Sequence, residues 1–156
     1  MDYDKLKDVL AALEREGVGY VIFGAVALNF HGLSRFTQDL DLFIAPDANN
    51  IDRLRRALFS VFADPDIEQI TADDLLGDYP AVQYVPPSAT FHLDLVTRLG
   101  TAFAYEDLEI VRIPFEGLNI AVASPTTLYQ MKRNTVRLKD RADAEMLRER
   151  FNLEED

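Results

Sequence analysis

The stretch that decides the fold is Tyr20–Ile44, YVIFGAVALNFHGLSRFTQDLDLFI. An apolar run ends at Gly24, a short apolar segment follows, and Asp39-Leu40-Asp41 then sits inside a second apolar run. Side chains two apart on a strand share a face. Asp39 and Asp41 therefore project together, while Leu40 and Leu42 face the other way. Two adjacent carboxylates repel, and a core holds them only beside a cation. Hard oxygen ligands favour magnesium or manganese as that cation. Gly24 lets the backbone turn tightly from strand into helix. Free N–H groups at a helix N-terminus attract an anion such as phosphate.

On the N-terminal side, the spacing predicts a helix over Asp4–Glu16, with Leu6, Val9, Leu10 and Leu13 as one stripe and Gly17 as its stop. Strands are expected at Tyr20–Phe23, Leu40–Ala45, Ala81–Val85, Phe91–Val96, Glu109–Ile113 and Leu118–Ala123. Glu116-Gly117 separates the last two as a hairpin turn. Further helices are expected at Ala25–Phe30 and Ile51–Phe62. Ser124-Pro125, a cap followed by proline, starts one that runs to about Val136. The last begins near Asp140 with Ala142, Met146, Leu147 and Phe151 inward. Asp64–Gly77 is acidic and irregular, with one helical turn near Ala72–Leu76. No repeat or linker interrupts this order, which predicts one α+β domain over residues 1–156, a mixed β-sheet with flanking helices.

The 156 residues are 48% hydrophobic, enough for a core. The absence of cysteine excludes disulfides, thiolate metal sites and a cysteine nucleophile. The longest apolar stretch, Tyr20–Phe30, is too short to cross a bilayer, and the acidic start MDYDKLKDVL lacks the plan of a signal peptide. A cytoplasmic protein with no membrane partner is expected. The formal net charge of -11 argues against non-specific binding to duplex nucleic acid. A small triphosphate needs only local positive charge, and Lys132, Arg133, Arg137, Lys139 and Arg141 cluster near the C-terminus.

A third acid, Asp94, lies between Leu93 and Leu95. On a neighbouring strand it joins the face of Asp39 and Asp41. Three carboxylates around one or two magnesium ions suit phosphoryl or nucleotidyl transfer. At this point the sequence resembles the DNA polymerase beta-like nucleotidyltransferase superfamily. Phe23-Gly24-Ala25, Asp39-Leu40-Asp41 and Asp94 match its motifs in order and spacing. His31-Gly32, Arg35 and Thr37, then Val122-Ala123-Ser124-Pro125, Met131-Lys132 and Lys139-Asp140-Arg141-Ala142-Asp143, look like its small bacterial members. These include minimal nucleotidyltransferases and AbiEii-type toxin relatives.

The resemblance covers roughly Gly17 to Leu147. It implies a nucleotidyltransferase fold and metal-dependent transfer of a nucleoside monophosphate from an NTP to an acceptor hydroxyl, with pyrophosphate released. Asp39, Asp41 and Asp94 become the catalytic and metal-binding residues. Gly24, Ala25, Arg35, Thr37, Lys132 and Lys139 become the nucleotide contacts. The acceptor class stays open among RNA, protein and small molecule. Where the family carries Gly or Ser, this chain has Ala25, whose N–H can still donate but which lacks a hydroxyl. A second reading follows: a catalytically inactive binding module on the same fold, such as one half of a toxin–antitoxin pair, with a small helical protein partner. Asp140 and Asp143 read as acids at a helix start, and His31 and His92 as structural. His92 nonetheless alternates with Asp94. The aromatic residues read as core, with no base-stacking platform.

Overall fold

Helix α1 (Tyr3–Arg15) starts where the Asp2 carboxylate accepts from the Lys5 N–H at 3.0 Å. It buries Leu6, Val9, Leu10 and Leu13 completely, each contributing about 1.5–3 kcal/mol relative to exposure. It stops at Gly17, whose φ of +68° suits a residue without a Cβ. The computed structural model describes residues 1–87, 90–133 and 138–154. Arg137 and the end of the helix expected to reach Val136 lie outside them.

Strand β1 (Tyr20–Phe23) passes directly into α2 (Gly24–Phe30). Strand β2 (Asp39–Ile44) returns antiparallel to β1. It begins one residue before the expected Leu40, because the Asp39 N–H is held by Thr37 Oγ1 at 3.0 Å. Helix α3 (Ala48–Phe62) also starts early, since Asp47 caps it by accepting from the Asn49 N–H. Within α3, the buried Asn50 accepts from the Gly19 N–H at 2.7 Å and donates to the carbonyls of Gly19 and Ala45. One amide thus ties the start of β1 and the end of β2 to a helix that packs on α1. The acidic segment that follows contains a 3-10 turn at Pro65–Gln69 and the short α4 (Ala72–Leu75).

Strands β3 (Ala81–Tyr84) and β4 (His92–Val96) pair antiparallel, and β4 pairs parallel with β2. A small ribbon absent from the sequence reading, β5 (Arg98–Leu99) with β6 (Phe103–Ala104), precedes β7 (Ile110–Phe115) and β8 (Leu118–Ala123). The last two form the expected hairpin, with Glu116 and Gly117 both at positive φ. β8 lies parallel to β1. The result is a mixed six-stranded sheet ordered β3-β4-β2-β1-β8-β7. Along its centre Leu40, Leu42, Leu93 and Leu95 are fully buried.

Helix α5 (Pro125–Lys132) is capped by Ser124, whose oxygen accepts from the Thr127 N–H at 3.1 Å. It packs against α6 (Leu138–Phe151). One correction concerns α6. Ala142 and Met146 are exposed, and the inward face is Asp143, Ala144, Leu147 and partly Phe151. The helix is turned this way because Asp143 points inward to two cations. His31 is structural as expected: its Nε2 meets the Ala123 carbonyl at 2.8 Å.

Candidate active site

The register of the central strands builds an acidic row. Parallel pairing sets Asp41 opposite Asp94 and Asp39 opposite His92. β3 adds Gln83 opposite Asp94. Antiparallel pairing sets Phe23 opposite Asp41, which brings Gly24 against the Asp41 carboxylate. A Cβ on Gly24 would stand 2.0 Å from Asp41 Oδ2, and its φ is +70°. Only glycine meets both conditions. Asp41 is partly buried, and its carboxyl is pushed up to about 7. Burial is the main cause, the Asp94 and Asp39 carboxylates add to it, and Lys132 opposes it. Asp39 Oδ1 lies 3.4 Å from His92 Nδ1, and Thr37 binds the Asp39 backbone through both its donor and its acceptor.

A cationic wall faces this row, and Asp143 organises it. That side chain is buried, with the residue 2% exposed. Its Oδ1 accepts from Arg35 Nε at 2.9 Å, and its Oδ2 lies 3.3 Å from Lys132 Nζ. Lys132 also reaches Asp140 at 3.1 Å. Arg35 donates further to the Ser34 carbonyl and to Met146 Sδ. Its backbone is fixed from both sides by Asn29, whose Oδ1 accepts from the Arg35 N–H at 2.6 Å and whose Nδ2 donates to the Arg35 carbonyl at 3.0 Å.

Row and wall enclose an open cavity of about 680 Å³, the size of a small-molecule site. Asp39, Asp41, Asp94, Gly24, Ala25, Arg35, Thr37, Lys132 and Lys139, the full set singled out from sequence, line it. The Thr37 hydroxyl is engaged with the Asp39 backbone in both directions while the residue lines the cavity. Phe36, Gln38, Gln83, His92, Asp140 and Asp143 line it too. Of these only His92 had a sequence signal toward the face, its alternation with Asp94. Asp143, expected as a helix-start acid, is instead the buried partner of Arg35 and Lys132. Gly24 and Ala25 open α2, whose first turn has neither a capping side chain nor an acidic residue, so its N–H groups are left for another acceptor.

Among the described residues, no three acidic, histidine or cysteine side chains already converge at ligand spacing. The donor chemistry still fits a hard divalent cation. Asp41 and Asp94 stand side by side on adjacent strands, and burial together with the Asp94 and Asp39 carboxylates holds the Asp41 carboxyl well above the usual carboxylate range, a repulsion that a bound cation would relieve.

A mixed sheet with paired acids on adjacent strands, a glycine turn beside them and cations opposite defines a nucleotidyltransferase fold. The chain matches the family model for the nucleotidyl transferase AbiEii toxin of a type IV toxin–antitoxin system over residues 8–147. It belongs to that family and is a nucleotidyltransferase. No curated protein matches it in sequence. Solved structures share the fold, among them the following three. A candidate nucleotidyltransferase from Thermotoga maritima is 18% identical with a TM-score of 0.51, covering 94% of this chain and 90% of its own. An antigenic nucleotidyltransferase-like protein from Paracoccidioides brasiliensis is 17% identical with a TM-score of 0.56, over 92% and 74%. ANT(2″)-Ia, solved with adenylyl-2″-tobramycin, is 12% identical with a TM-score of 0.54, over 94% and 87%.

Proposed function

We propose that this chain acts as one nucleotidyltransferase domain that moves a nucleoside monophosphate from an NTP to an acceptor hydroxyl and releases pyrophosphate. The observation that carries this reading is the Asp41–Asp94 pair, wedged against Gly24 and facing Lys132 and Arg35 across one cavity. Asp39, Asp41 and Asp94 would hold magnesium or manganese, which when bound neutralises charge developing on the phosphates. The Gly24 and Ala25 N–H groups hold the β- and γ-phosphates, and Lys132, Arg35 and Lys139 supply positive charge beside them. Asp94 accepts the proton of the acceptor hydroxyl. The acceptor oxygen forms its bond to the α-phosphorus as the bond from that phosphorus to the β-phosphate oxygen breaks. The electron pair of the broken bond leaves with pyrophosphate.

We further propose a cytoplasmic role as the toxin of a toxin–antitoxin pair, held in check by an antitoxin partner. Its family and the lack of a helix long and apolar enough to cross a membrane among the described residues support this. RNA, a protein side chain and a small molecule are the acceptor classes to compare. The decisive experiment titrates the four ribonucleoside triphosphates by calorimetry, with and without magnesium, into the protein and into Asp41→Asn. Magnesium-dependent binding lost in the variant is expected. Binding to none of the four would favour the inactive-module reading. Asp39→Asn is expected to abolish transfer from an α-labelled NTP, and undiminished transfer would remove this mechanism.

A further inference from the structure

Phe36 is 82% exposed, yet it lies at the cavity. Exposed aromatic rings are ordinary on a protein surface, but this one lies at the cavity and the chain around it is fixed. On one side the Arg35 backbone is clamped by Asn29 and its guanidinium by Asp143. On the other, Thr37 grips the Asp39 backbone, and the Gln38 carbonyl accepts from the His92 N–H at 2.7 Å. The backbone on both sides of the ring is therefore held in place. The ring stands beside a polar cavity whose carboxylates and cations suit phosphates and metal. Phe36 gives that cavity a flat apolar ring.

We infer that Phe36 is the stacking platform for the nucleobase of the bound nucleoside triphosphate. This rests on the nucleotide reading above. Every base has a π-face, so the contact adds affinity for all four bases without choosing among them. Base recognition, where present, falls to the amides of Gln38 and Gln83, which line the same cavity.

Inorganic tripolyphosphate separates the base from the phosphates. With magnesium, Phe36→Ala should bind ATP and UTP about tenfold more weakly, on the order of 1.4 kcal/mol, while its tripolyphosphate affinity matches the parent. Phe36→Tyr should bind like the parent. The chain has no tryptophan, so Phe36→Trp places a single indole at the site. ATP should quench its fluorescence and tripolyphosphate should not. Parent-like ATP binding by Phe36→Ala, or equal loss of ATP and tripolyphosphate, would overturn the stacking role and leave the nucleotide reading intact. Failure of the parent itself to bind any NTP would overturn both. If Phe36→Ala binds every NTP normally but no longer responds to a co-expressed antitoxin, the ring serves a protein contact and the inference is wrong.

Discussion

Gly24 is the least replaceable residue of the site, because a methyl group there meets Asp41 Oδ2 at 2.0 Å in a left-handed backbone. Gly24→Ala is expected to cost about 1–3 kcal/mol of stability and to remove magnesium-dependent nucleotide binding, measured by urea unfolding and calorimetry. Asp41 gives a pH test. Its folded carboxyl titrates near 7, above the ordinary carboxylate value of the unfolded chain. The folded state thus binds the extra proton between those values. Its contribution to stability is full below the ordinary value and is lost as pH rises through about 7. In metal-free buffer Asp41→Asn should be more stable than the parent at pH 8 by about 1–3 kcal/mol, with the gap closing near pH 4. Parallel stability curves across that range would count against the shifted carboxyl. The three acids were legible because strand alternation exposes them against leucines. Asp143 was not, since KDRADAE reads as a charged helix face until the phase of that helix is known. Phe36 was hidden for the opposite reason: an aromatic residue reads as core until its exposure is seen.

At the scale of elements, the site is held between the sheet and α6. Asp143→Ala leaves Arg35 and Lys132 without their shared carboxylate, and a loss of about 2–4 kcal/mol is expected. Weaker nucleotide binding should accompany it. If thermal melts show an unchanged midpoint, the buried carboxylate is not holding the wall. Asn50→Ala removes three hydrogen bonds that join β1, β2 and α3, and about 2–3 kcal/mol should go with them. Long periodic elements such as α1 were readable from their apolar stripe, and the β7–β8 turn from its glycine. The two-residue strands β5 and β6 were not, because alternation needs more residues than they have. The inward face of α6 was misassigned because a buried acid, rather than Ala142 or Met146, sets its rotation.

For the whole molecule, the net charge of -11 and the acidic row make divalent cations the natural counterions. Magnesium at about ten times its dissociation constant should raise the melting temperature by about 3–6 °C. Sodium chloride at matched ionic strength should not reproduce the rise, and Asp41→Asn should lose it. The acids and the glycine turn come from the first two thirds of the chain, whereas Asp143 comes from its final helix. A ribosome makes these parts in that order. The sheet can pair its carboxylates while α6 is still being synthesised, but Arg35 and Lys132 then lack the buried anion that steadies them. The carboxylate row and the cationic wall that faces it are thus assembled from distant parts of the chain, and the wall is steadied only once α6 has docked.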